Sequence, residues 1–221
     1  MFAGVFYYSL VAWLFMTQFF QVHPTHPQQR LIVQAVDILR QGGVIAYPTD
    51  CAYAFGCCIG NKKALEIISR IRGLKDEHNF TLLCKDLSAL GTYAKVDNAT
   101  FRLLKNFLPG PYTFILKATA EVPKRLMHPK KKTIGLRMPE STICAALLDK
   151  LGEPLLTSTL KLPFIAGIMN DPEEIYRVLS RQIDLVIDGG IGAHDVTSVI
   201  DVSEGVPIVL REGVGDVSFF R

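Results

Sequence analysis

The side chains in this sequence best suited to chemistry are cations and hydroxyls placed at the ends of short apolar runs. Thr49, Asp50 and Tyr53 follow the run Val44 to Tyr47. The carboxyl ends of strands are where α/β sheets tend to receive ligands. Arg70 and Arg72 close an amphipathic stretch just before Gly73. A guanidinium presents a rigid fork to phosphate or carboxylate, so such a pair suits an anionic ligand. Residues two apart do not share a helical face, and both converge only if the helix frays at that end. Otherwise they are two surface cations stabilising a helix C-terminus. Thr157, Ser158 and Thr159 add three hydroxyls at another run's end, and Arg137 and Arg211 stand two residues before Pro139 and Gly213. The chemistry these groups share is anion binding.

Other chemistries lack their residues. Nothing matches G-x-x-x-x-G-K-[ST], G-x-G-x-x-G at a helix start, or H-E-x-x-H. The five cysteines, Cys51, Cys57, Cys58, Cys84 and Cys144, are odd in number and contain no C-x-x-C pair. That argues for reduced, buried thiols in a reducing compartment rather than for a disulfide framework or a zinc site. His23 and His26 are each followed by proline and read as loop residues.

The elements that must hold these groups follow from periodicity and caps. Leu31, Ile32, Ala35, Val36, Ile38 and Leu39 keep a helical period up to Gly42-Gly43. Asn61 is placed to cap a helix carrying Leu65, Ile67, Ile68 and Ile71, which Gly73 ends. Asp97 or Asn98 caps a helix through Leu104, stopped by Pro109-Gly110-Pro111, and Asp171-Pro172-Glu173-Glu174 opens another. A further helix is expected over Thr142 to Leu151. Strands are expected at 81–84, 112–117, 133–138, 155–160, 185–187, 196–202 and 206–210. Interleaving without a linker or repeat predicts an α/β domain with one sheet and helices on its faces. The close strand spacing near the end predicts antiparallel pairs, hence a mixed sheet.

A chain of 221 residues with 49% hydrophobic and 20% charged residues is neither disordered nor fibrous. Its net charge of +3 is mild, but unevenly spread. From Arg102 to Arg137 nine basic residues face a single acid, Glu121, and the segment after it is acidic. Such asymmetry steers anions or nucleic acid, or is a solvated face. Residues 1–15 form an apolar extension, and no charged residue precedes Arg30. The extension lacks the basic flanks of an anchor and the cleavage site of a secretory signal. Translation starting at Met16, a domain over 16–221, a cytoplasmic location and no stable membrane partner are therefore expected.

Seven blocks in order resemble the YrdC-like family: YPTDCAYAFG from Tyr47, RIR from Arg70, LPGPYTFIL from Leu108, IGLRMP from Ile134, PLLTSTL from Pro154, TSVIDV from Thr197 and VLREG from Val209. HPTHPQQR from His23, HNFTLLC from His78, DPEEI from Asp171 and REGVGDV from Arg211 resemble its YciO branch most closely. The resemblance implies a single-domain twisted mixed sheet with helices around a basic cavity. It also implies the activity of threonylcarbamoyl-AMP synthases, nucleotidyltransferases that join L-threonine, bicarbonate and ATP, with magnesium, and release pyrophosphate. The product serves tRNA modification. It implies nucleotide binding by Arg70, Arg72, Asn79, Thr113, Thr157, Thr159, Lys161 and Arg211. It implies substrate binding by Thr49, Cys51, Tyr53, Cys84, Arg137 and Thr197, with no covalent nucleophile. Cys51, Cys84 and Lys161 stand where the synthases have Thr, His and Asn, which preserves the nucleotide half better than the threonine half. The alternative function is RNA binding, of duplex or tRNA, through the basic cavity and Lys130-Lys131-Lys132.

Overall fold

The computed structural model describes residues 16–74 and 80–221. The apolar extension over residues 1–15 and Asn79 lie outside the described residues. Among the described residues ten strands form one twisted mixed sheet. In chain order they are β1 (Gln18–Gln21), β2 (Ile45–Tyr47), β3 (Ala54–Cys58), β4 (Thr81–Leu83), β5 (Tyr112–Lys117), β6 (Thr133–Arg137), β7 (Leu155–Thr159), β8 (Leu185–Asp188), β9 (Ser198–Asp201) and β10 (Ile208–Arg211). Their order across the sheet is β1-β8-β2-β3-β7-β4-β6-β5-β9-β10. Parallel pairs join β1 to β8, β8 to β2, β4 to β6 and β5 to β9, and the other neighbours run antiparallel. The expected mixed α/β sheet is what forms.

Among the described residues the α-helices are α1 (Gln29–Arg40), α2 (Lys62–Arg72), α3 (Leu87–Tyr93), α4 (Asn98–Phe107), α5 (Thr142–Leu151) and α6 (Pro172–Leu179). Helix α1 buries Ile32, Ala35, Val36 and Leu39, one stripe at i, i+3, i+4 and i+7. Its three larger side chains each contribute about 1.5–3 kcal/mol. The expected caps form. Asn61 accepts from Ala64 N–H at 3.0 Å, Asp97 from Thr100 N–H at 2.7 Å, and Asp171 from Glu173 N–H at 2.9 Å beside Pro172. Helix α3 has no counterpart in the sequence expectations. It is seven residues long, buries only Leu90 and contains Gly91, so no period marks it.

The helices cover the two faces of the sheet unequally. On one face α2, α3, α4 and α6 pack against most of the sheet through Leu65, Ile68, Leu90, Leu104, Ile175 and Leu179. On the other, α1 and α5 pack on Ile45, Tyr47, Ala54, Leu155, Leu185 and Ile187. That second core takes from β4 to β6, β9 and β5 only Leu83. The same face of those strands is left free to form a wall.

Candidate functional site

That wall bounds a cavity of about 500 Å³. Side chains alternate along a strand, so inward positions repeat every second residue. Thr113 and Ile115 of β5, Gly135 and Arg137 of β6, Thr157 and Thr159 of β7, and Thr81 of β4 all line it. Cross-strand register sets Thr157, Thr81, Gly135 and Ile115 side by side as a floor of mostly small groups. A Cβ on Gly135 would come within 2.6 Å of Thr81 Oγ1 and 3.4 Å of Thr113 Cγ2, so the bare backbone keeps this floor open. Thr157 is held from below by Tyr47, whose buried hydroxyl lies 2.7 Å from Thr157 Oγ1.

Three guanidiniums converge on the cavity, each supported differently. Arg72, in the last turn of α2, donates to Ser158 Oγ where β7 ends. Burial first, and then the charge of Arg211, pull the Arg72 pKa down to about 10, which leaves it cationic at neutral pH. Arg137 is 7% exposed and forms an ion pair with Asp50. Its Nη2 also donates to Thr49 Oγ1 at 3.2 Å, while Asp50 accepts from Glu140 N–H at 3.2 Å. Arg211 donates twice to the Thr197 carbonyl, at 3.0 and 2.9 Å, and once to Thr197 Oγ1 at 3.1 Å. Burial and then Arg137 lower its pKa as well. Lys161 lies exposed at the rim. No Asp or Glu lines the cavity among the described residues, so every charged side chain on its wall is a cation.

A bulge aims Arg211. Strand β10 slips against β9 between Val209 and Arg211, and Leu210 and Arg211 both reach the cavity wall. The chain beyond is laced to the start of β9. Ser198 Oγ accepts from Gly213 N–H at 2.9 Å and donates to the Gly215 carbonyl at 2.6 Å. A Cβ at Gly213 would sit 2.2 Å from the Val196 carbonyl oxygen, so only glycine permits this approach.

No resident metal fits this wall. Among the described residues no three His, Cys, Asp or Glu side chains gather. Asp50, the acid paired with Arg137, is already engaged. Hard divalent cations need several free oxygen ligands, carboxylates above all.

Comparison with known proteins identifies the fold's relatives. A family model for the Sua5, YciO and YrdC proteins, described as telomere recombination, matches residues 37–213. The chain belongs to the Sua5/YciO/YrdC family. The uncharacterized protein YciO of Escherichia coli K12 is 58% identical over 205 residues, 93% of this chain and 100% of the relative. The Homo sapiens threonylcarbamoyl-AMP synthase is 31% identical over 156 residues, 71% of this chain but 54% of the relative. The crystal structure of E. coli YciO superposes with a TM-score of 0.90 at 57% identity, covering 93% of this chain and 100% of that one. Sua5 from P. abyssi, complexed with L-threonine, gives 0.82 at 24% identity over 89% of this chain and 58% of that one, a likeness of fold.

The structure gathers nine of the residues carried over from the family around the cavity: Cys51, Arg72, Thr113, Arg137, Thr157, Thr159, Lys161, Thr197 and Arg211. Thr49 stands behind the wall, holding Arg137 and donating to the Ala52 carbonyl at 2.8 Å. The others sit elsewhere. Helix α2 does not fray. Gly73, left-handed at φ 59°, closes it with N–H donation to the Arg70 and Ser69 carbonyls. Arg70 therefore stays exposed and does not converge with Arg72. Cys84 is fully buried in the core of the opposite face. Tyr53 belongs to that same core, its hydroxyl donating to the Gly190 carbonyl at 2.8 Å. Sequence reasoning missed Thr81, Gly135 and Ile168. A lone threonine or glycine in a strand carries no signal until the strand order is known. The lysines Lys130, Lys131 and Lys132 do not line the cavity.

Burial raises all five thiols, Cys51 and Cys58 to about 11 and Cys57, Cys84 and Cys144 to about 12. The folded state thus keeps protons that the unfolded chain releases above pH 9. This stability is fully present below pH 9 and is lost as pH rises through 11 to 12. The melting temperature is expected to hold up to about pH 9 and to fall between pH 9 and pH 11, and an unchanged value across that range would contradict the burial argument. At pH 8 only about one Cys51 side chain in a thousand is a thiolate, so its alkylation should be slow.

Proposed function

We propose that this chain binds ATP and a small amino-acid-derived substrate in the cavity and joins them as an adenylate, in the manner of threonylcarbamoyl-AMP synthase. The observation that carries the reading is the convergence of Arg72, Arg137 and Arg211 on one cavity whose wall, among the described residues, holds hydroxyls and no carboxylate. Such a wall suits a triphosphate and a carboxylate together. In this reading a carbamate oxygen attacks the α-phosphorus and pyrophosphate leaves. Arginines and hydroxyls supply position and charge rather than a nucleophile. Magnesium arrives on the nucleotide as part of the substrate. The RNA reading has no comparable support, because the lysine run does not line the cavity.

The test is purified protein with ATP, magnesium, bicarbonate and each amino acid in turn, read by pyrophosphate release. Release that depends on one amino acid supports the reading. Absence of release with all of them, alongside undetectable ATP binding, sinks it.

Lys161 gives the reading a sharper consequence. It replaces the amide of the synthases with an ammonium at the rim, one turn of chain beyond Thr159. A cation there competes with a metal ion for the same phosphates. ATP binding is expected to depend only weakly on magnesium, and threonine-dependent turnover to be low. Lys161→Asn should restore magnesium dependence and raise threonylcarbamoyl-AMP formation, most clearly combined with Cys51→Thr. A wild-type rate that neither change improves would remove Lys161 from this role.

A further inference from the structure

Arg211, Thr197 and Thr113 form one hydrogen-bonded unit, although the family resemblance divides them between the nucleotide and substrate halves. Arg211 Nη2 donates to Thr197 Oγ1 at 3.1 Å, and Thr197 Oγ1 lies 2.8 Å from Thr113 Oγ1. Both threonines line the cavity and are nearly buried, at 5% and 8% exposure. Neither hydroxyl has a further partner among the described residues.

The protons can be counted. Arginine only donates, and each hydroxyl owns one proton. One hydroxyl proton closes the 2.8 Å contact, so one remains, and the cavity is where it can find an acceptor. Donation from a cationic guanidinium polarises the Thr197 O–H bond and makes it the better donor of the two. The chain therefore runs from Arg211 to Thr197 to Thr113, with the Thr113 proton left over. We propose that Thr113 presents a hydroxyl donor of fixed polarity that selects an oxyanion, phosphoryl or carboxylate, where the two substrates meet, with Thr197 and Arg211 as its positioning residues. This rests on the functional reading above and goes beyond it by fixing which way one hydrogen bond to the ligand points. A ligand ammonium is disfavoured at that point, because Thr113 already accepts from Thr197 and the neighbouring charges of Arg137 and Arg211 are positive.

Calorimetric titration with ATP, L-threonine and inorganic pyrophosphate tests this on the wild type and on Thr113→Val, Thr197→Val, Thr197→Ser and the double valine variant. Thr113→Val is expected to weaken at least one probe about 10-fold. Thr197→Val should weaken the same probe by a smaller factor, and Thr197→Ser, which keeps the hydroxyl, should recover most of it. The double variant should be no worse than Thr113→Val, because the second residue acts only through the first. Loss for ATP and pyrophosphate together identifies a phosphoryl oxygen. Loss for L-threonine alone identifies a carboxylate. Unchanged affinities in Thr113→Val, or valine effects that multiply independently, overturn the proposal. If a valine variant melts far below the wild type, Thr113→Ala and Thr197→Ala replace the pair under the same criteria. Wild type that binds pyrophosphate with this pattern but neither ATP nor L-threonine refutes the functional reading and leaves the relay supported. Wild type that binds none of the three overturns both.

Discussion

Arg137→Ala is expected to lower folding stability by roughly 3–5 kcal/mol, because it strands Asp50 in a poorly solvated place. The two side chains are 9% and 11% exposed, and among the described residues Asp50 has only the Glu140 N–H as its other partner. For a chain of this size the loss corresponds to a melting temperature lower by on the order of 10 °C. The destabilisation comes from the unpaired charge more than from the missing attraction. The double variant Arg137→Met, Asp50→Leu should therefore recover much of the stability while remaining unable to bind an anion there. Thermal melts of the single and double variants decide it. Equal destabilisation in both would show that the ion pair itself, and not the orphaned carboxylate, carries the effect.

Arg72→Ala should do the reverse, holding or raising stability while weakening ATP binding by about 1.5–3 kcal/mol, or roughly 10- to 150-fold. The folded chain keeps this cation half-buried and within the field of Arg211. Removing it relieves the repulsion from Arg211 in the free protein, which offsets the lost hydrogen bond to Ser158 Oγ, and deletes a charge-assisted donor in the complex. Stability and affinity moving in opposite directions is what a residue kept for binding produces. Calorimetry with ATP and a melting curve on the same sample are sufficient. Unchanged affinity in a folded variant would return Arg72 to the role of a helix-end cation. Because its pKa remains near 10, the effect should not vary between pH 6 and pH 8.

Much of the fold was readable because local signals agreed. The stripe of α1, the caps of α2, α4 and α6, and the strand runs Tyr112–Lys117 and Leu155–Thr159 each carry their own pattern. The site was less readable, for a physical reason. Its floor exists only through pairing: Thr157 matters because β7 inserts between β3 and β4 and so meets Thr81. The bulge that turns both Leu210 and Arg211 inward has no sequence mark. The separation of Arg70 from Arg72 depends on Gly73 sealing the helix rather than letting it unwind. Sequence spacing offered both outcomes, and hydrogen bonds in the last turn chose one.

The position of β7 also governs how the chain can come into being. It lies in the middle of the sheet, yet nearly three quarters of the sequence precedes its end at Thr159. Until that segment leaves the ribosome, β3 and β4 have no partner on their shared side, and β8 must still arrive to join β1 to β2. The nascent chain thus carries open strand edges for much of its synthesis, a state that invites wrong pairing. Late closure over long sequence separations also makes folding slow for a domain of this size. Arg211, supplied by β10, completes the ring of guanidiniums only after the nine other strands have been made. A ribosome-bound chain halted before β10 would hold a nearly finished sheet that lacks one of the three guanidiniums lining the cavity, so the charge of that wall is completed by one of the latest elements to form.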